Sequence, residues 1–113
     1  MCVYTGNLLN CSADVSVTDI GNFTISINWT QPVCIDVMPM HYLVQWAQES
    51  TSSFQNSCVI PMNDNNYTIS SLRSDTAYDI FLIAVDECGN MTAGRQTART
   101  LELNGKCRIG EQL

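Results

Sequence analysis

Positive charge is scarce in this sequence. Lys and Arg together number five against eleven Asp and Glu, giving a formal net charge of −6. The five are scattered, which argues against nucleic acid and anionic membrane surfaces, since both need concentrated positive charge. Histidine is nearly missing too: His41 is the only one. It has no Ser or Cys nucleophile context, so no catalytic triad can be assembled around it, and the chain is not expected to be an enzyme. There is no C-x-x-C pair to start a zinc site and no calcium-loop spacing, so no metal or cofactor is expected. Asp86 and Glu87 are read as a solvated acidic loop. Gly89 and Gly94 are read as turn residues, because no strand–loop–helix unit surrounds them to cradle a phosphate.

Long hydrophobic runs are also lacking. The longest, residues 80–85, falls far short of the ~20 residues that span a bilayer. Residues 1–12 lack the basic start and apolar core of a secretory leader. The chain is therefore expected to be a piece of a larger secreted or membrane-anchored protein, with no direct membrane contact of its own. No stretch keeps a helical period of 3.6.

What is present points outside the cell. Six cysteines, at 2, 11, 34, 58, 88 and 107, form an even set without metal spacing. Disulfides, and so an oxidising compartment, are the better reading. Five triplets fit the N-glycosylation acceptor pattern, beginning at Asn10, Asn22, Asn28, Asn66 and Asn90; Asn56-Ser-Cys is a weaker variant. One such triplet means little, but five together with six cysteines predict an extracellular glycoprotein. Hydrophobic residues at 45% and charged ones at 14% describe a globular chain. Its 113 residues suffice for one domain with a real core.

Short alternating segments recur between turn residues. They fall at 13–20, 22–31, 41–49, 66–70, 76–87 and 95–103, with an ambiguous edge segment at 50–60. Residues 32–39 and 88–94 read as loops. In 22–31, Phe23, Ile25, Ile27 and Trp29 share one parity, and the sequon asparagines Asn22 and Asn28 share the other. About seven strands at near-regular spacing predict an all-β, two-layer antiparallel sandwich. A closed eight-stranded barrel is the alternative, but the strand count falls short of it.

Three elements resemble the fibronectin type III domain: Trp29 followed by Thr-Gln-Pro, the alternating Tyr42-Leu-Val-Gln-Trp46, and the run 72–85. In that run Leu72, Thr76 and Tyr78 match the family's Leu-x-x-x-Thr-x-Tyr tyrosine corner, which implies a hydrogen bond between the Tyr78 hydroxyl and backbone near Leu72. The resemblance covers residues 12–103, leaving 1–11 as a flank and 104–113 as a tail. The chain departs from the family at Ser74-Asp75, where Pro-Gly is common, and in its six cysteines, which typical members lack. An Asp can still cap that turn through its side chain. Immunoglobulin domains carry cysteines in the second and sixth strands; the second strand here has none, so that fold is set aside.

The family's topology assigns the faces. Strands A (13–20), B (22–31) and E (66–70) would form one sheet, and C′ (50–60), C (41–49), F (76–87) and G (95–103) the other. Phe23, Ile25, Ile27 and Trp29 would point inward, and Asn22, Asn28 and Asn66 outward. On the other sheet Leu43, Phe81, Ile83 and Val85 would form an outer apolar patch, either a protein-binding interface or a surface covered by the C′ segment or the tail. The B–C and F–G loops would share one end of the sandwich, which implies a Cys34–Cys88 bridge. Cys2–Cys11 and Cys58–Cys107 are then the leftover pairs, with a bond from Cys2 or Cys107 to another chain or domain as the alternative, and the sequence does not choose among the pairings.

Function is expected to be recognition: a module of a cell-surface receptor or adhesion glycoprotein, binding protein partners through the C′-C-F-G face or the B–C and F–G loops. A passive spacer contacting neighbouring domains of the same ectodomain is the second expectation. A cytokine-receptor-like domain is the third, ranked lower because Trp-Ser-x-Trp-Ser is absent.

Overall fold

The computed structural model describes residues 11–34, 39, 41–86 and 89–103. Among these described residues ten strand segments follow one another in chain order. They are β1 (Cys11–Ser12), β2 (Val15–Ile20), β3 (Ile25–Trp29), β4 (Val33–Cys34), β5 (His41–Gln48), β6 (Gln55–Asn56), β7 (Ile60–Pro61), β8 (Asn66–Ile69), β9 (Ala77–Asp86) and β10 (Gly89–Arg99). β2, β3 and β8 form a three-stranded sheet. β10, β9, β5 and β6 form the larger sheet, with β7 also pairing to β5, and β1 pairs with β4 as a small ladder. All pairings are antiparallel.

Period-two alternation makes the core. Ile25, Ile27 and Trp29 on β3 are buried, as are Tyr42, Val44 and Trp46 on β5 and Tyr78, Ile80, Leu82 and Ala84 on β9. Burying each large side chain stabilises the fold by roughly 1.5–3 kcal/mol. Aromatic rings bridge the two layers. Trp29 of the smaller sheet meets Tyr42 of the larger edge-on at 6.1 Å, and Trp46 tilts against Tyr67 at 6.4 Å.

Phe23 is not part of this core. It is 47% exposed, although its parity is right. The β2–β3 hairpin turns at residues 21–24, where the Gly21 amide donates to the Thr24 carbonyl at 2.9 Å. The paired ladder therefore begins only at Ile25, and Phe23 lies at the tip of the turn.

β10 begins at Gly89 rather than near Arg95, so most of the expected 88–94 loop is strand. Gly89 pairs with Asp86 in register, and the ladder runs to Arg99 opposite Ala77 with one shift between Thr92 and Gly94. The glycines misled because turn propensity is overridden by cross-strand pairing. Gly94 serves a close approach instead. An ideal Cβ there would stand 2.7 Å from the Ala13 carbonyl oxygen and 2.8 Å from a Val15 methyl. The Ala13 amide donates to the Ala93 carbonyl at 2.8 Å, and Gln96 Nε2 donates to the Val15 carbonyl at 3.1 Å. These contacts join the two sheets along one seam.

Candidate functional site

The register lays out the outer face of the larger sheet in rows. His41, Val85 and Asn90 form one row; Leu43, Ile83 and Thr92 form the next; then come Gln45, Phe81 and Arg95. Leu43, Phe81, Ile83 and Val85 thus do share this face. Ile83 is nonetheless only 8% exposed, and the other three are half-buried. Phe81 is flanked on both sides. Phe54 meets its ring edge-on at 5.8 Å, and the Arg95 guanidinium lies over it at 5.5 Å. A cation over an aromatic face is attracted by the ring quadrupole. The centre of the face is therefore an Arg–Phe–Phe cluster, with Phe54 itself 46% exposed.

Neither Phe54 nor Arg95 was singled out from the sequence. Phe54 is the only apolar residue in the polar stretch 50–57, which is a usable signal for a side chain with a packing partner. Arg95 faces Phe81 only because the ladder shifts one residue after Thr92, and alternation alone does not show that.

The outer face of the three-stranded sheet differs in kind. Asn28 pairs in register with Ser16 on one side and Asn66 on the other, and both asparagines are exposed. In the next row the Ser26 and Thr68 hydroxyls are hydrogen-bonded at 2.9 Å. Asn22 does not join this face. It precedes β3, is half-buried, and its side-chain amide donates to the Glu102 carbonyl at 2.6 Å. Asn90 lies on the other sheet, exposed, opposite Val85. Asn10 falls outside the described residues.

The tyrosine corner is present. The Arg73 amide donates to the Tyr78 hydroxyl at 2.9 Å, and both Leu72 and Tyr78 are buried. Asp75 takes the backbone place where the family often has glycine, with φ 49°, a left-handed conformation that Asp tolerates better than most residues. Its carboxylate does not cap the turn; it pairs with Arg99 at 3.1 Å. Thr100 is buried and fully used. Its hydroxyl accepts from the Thr76 amide at 3.0 Å and donates to the Arg73 carbonyl.

The cysteine pairing differs from expectation. Cys34 is bonded to Cys11, not to Cys88. The short β1–β4 ladder places the two in register, so the bond ties the start of the domain to the segment after β3. That also removes Cys2–Cys11, and Cys58 is an exposed free thiol rather than a partner of Cys107. Cys2, Cys88 and Cys107 lie outside the described residues. Asp86 is buried, not a solvated loop residue: its carboxylate accepts from the Gly89 amide at 3.1 Å, fastening the β9–β10 connection. Glu87 lies outside the described residues.

Burial raises the Tyr42 hydroxyl above its ordinary pKa of 10.0. Neither that hydroxyl nor Trp29 Nε1 has a hydrogen-bond partner among the described residues. Also among the described residues, no three His, Cys, Asp or Glu side chains gather as metal ligands, and no helix is long and apolar enough to cross a membrane.

Two facing antiparallel sheets locked by a tyrosine corner define an immunoglobulin-like β-sandwich. Residues 12–100 match the family model of the fibronectin type III domain, and the chain belongs to that family, one whose members are generally non-catalytic modules. No curated protein sequence matches it. Solved structures share its fold at low identity. A computationally redesigned β-sandwich protein is 18% identical, with 85% of this chain and 94% of that one covered and a TM-score of 0.69. A fibronectin type III domain of human collagen XX is 18% identical over 88% of this chain and 99% of that one, with a TM-score of 0.66. A solution structure of the domain from the human collagen α-1(XX) chain is 19% identical over 82% and 86%, with a TM-score of 0.65. Fibronectin type III domains are common in adhesion proteins and receptor ectodomains, and a disulfide such as Cys11–Cys34 persists in oxidising surroundings.

Proposed function

We propose that this domain is an extracellular recognition module of a cell-surface receptor or adhesion glycoprotein, binding a protein partner through the outer face of its larger sheet. One observation carries the reading: only the larger sheet's outer face carries a run of apolar and aromatic side chains. The smaller sheet presents Ser16, Ser26, Asn28, Asn66 and Thr68 in adjoining rows, two of them sequon asparagines. The larger presents Leu43, Phe81, Ile83 and Val85, with Arg95 over Phe81. Aromatic and Arg side chains are the groups that dominate binding energy at protein interfaces. Sugar on the first face would leave the Phe81 end of the second open to partners, while sugar on Asn90 would stand at the Val85 end of that second face.

A passive spacer is the second reading, supported by Phe54 lying on Phe81 as internal cover. Phe81→Arg separates the two. Recognition predicts a variant that is secreted and melts like wild type but no longer binds cells or associates with itself. Failure of secretion would mark the patch as internal cover. Unchanged binding and stability would leave the spacer.

A further inference from the structure

We propose that Asn28 and Asn66 form a single twinned glycan site, whose two sugar chains stand side by side and shield each other from the enzymes that trim them. The inference rests on the extracellular reading above and deepens it. The two asparagines are direct register partners on β3 and β8, and both are exposed. Side chains directly opposite on an antiparallel pair have Cβ atoms about 5 Å apart, close to the width of one sugar ring. Two first sugars attached there would stand within touching distance of each other. The surface beneath them is small and polar, Ser16 on one side and the Ser26–Thr68 hydroxyl pair in the next row, so nothing bulky pushes the chains apart.

Sequence distance explains how both sites would be filled. The two triplets are far apart along the chain and become neighbours only once β3 pairs with β8. On the unfolded chain each would react alone. The Asn Nδ2 attacks the anomeric carbon of a lipid-pyrophosphate-linked oligosaccharide. The N–C1 bond forms, the C1–O bond to pyrophosphate breaks, the lipid pyrophosphate leaves with the electron pair, and the amide gives up one proton. Folding then crowds the two products together before later trimming. Asn90 supplies an internal reference: it sits on the other sheet beside Val85, with no sequon as its register partner.

The test is site-specific glycopeptide mass spectrometry on the chain secreted from cultured animal cells. In wild type, Asn28 and Asn66 are expected to be occupied on the same molecules and to keep untrimmed oligomannose chains. In Asn28→Gln the Asn66 chain should shift to complex type, and in Asn66→Gln the Asn28 chain should do the same. The Asn90 chain should not change in either variant, and thermal melting should confirm that both variants fold. Full trimming of both chains in wild type, unchanged trimming in the single variants, or occupancy of only one of the pair would overturn the inference. Sugar at none of the five sequons would overturn the glycoprotein reading itself.

Discussion

The carbonyl oxygen of Ala13 occupies the space that a side chain on Gly94 would need, 2.7 Å from an ideal Cβ. The obstacle is backbone, held by the Ala13–Ala93 hydrogen bond of 2.8 Å, so it cannot swing aside. Gly94→Ala is therefore expected to lower stability by about 1–3 kcal/mol, the usual cost of overpacking. Gly94→Val should be worse. Urea unfolding followed by tryptophan fluorescence checks both, and a wild-type midpoint for Gly94→Ala would show that the seam between the sheets is loose.

Tyr78→Phe tests the tyrosine corner. The ring stays buried, but the Arg73 amide loses the hydroxyl it donates to at 2.9 Å. A part-buried donor left without a partner costs about 1–3 kcal/mol. The variant should unfold at lower denaturant with an unchanged slope, because the same surface is exposed on unfolding.

Cys11 and Cys34 are 23 residues apart in sequence. Closing a loop of that length stabilises by about 3 kcal/mol in the chain-entropy model. The Cys11→Ser, Cys34→Ser double variant should lose about that much. Peptide mapping of the unreduced native protein should find a thiol-specific label on Cys58 and none on Cys11 or Cys34. A Cys34–Cys88 peptide in that map would refute the pairing.

Tyr42 predicts an alkaline effect. Its native pKa is raised above 10.0 by burial. As pH rises past 10.0, the unfolded state releases this proton first while the native state keeps it. Stability from this group is complete below pH 10.0 and falls as pH climbs toward the native value. Tyr42→Phe should abolish that component of the alkaline loss. Near neutral pH the variant should match or exceed wild type, by about 1 kcal/mol, because it removes a buried hydroxyl with no partner among the described residues. Unfolding midpoints measured stepwise on both sides of pH 10.0 decide it. A large loss in the variant at neutral pH would mean that the hydroxyl is bonded.

The larger sheet's outer face was legible by parity: Leu43, Phe81, Ile83 and Val85 fall on odd positions of two strands that the family pairs. Its cluster was not. Phe54 and Arg95 come from segments that reach Phe81 only through the path of the 50–57 stretch and the register shift in β10.

By itself the sequence determined the sandwich class, the burial of Trp29, Tyr42 and Tyr78, and the outward direction of Asn28. Alternation within a strand puts neighbouring side chains on opposite faces, and the resemblance to the fibronectin type III domain says which of the two faces inward. Tertiary structure alone decided that Cys34 meets Cys11, that Phe23 sits outside the ladder, that Gly94 lies under Ala13, and that Asn28 stands opposite Asn66. Each of these depends on which residue of a distant strand falls at the same height. Register and turn geometry set that height, and no local stretch of the chain encodes it.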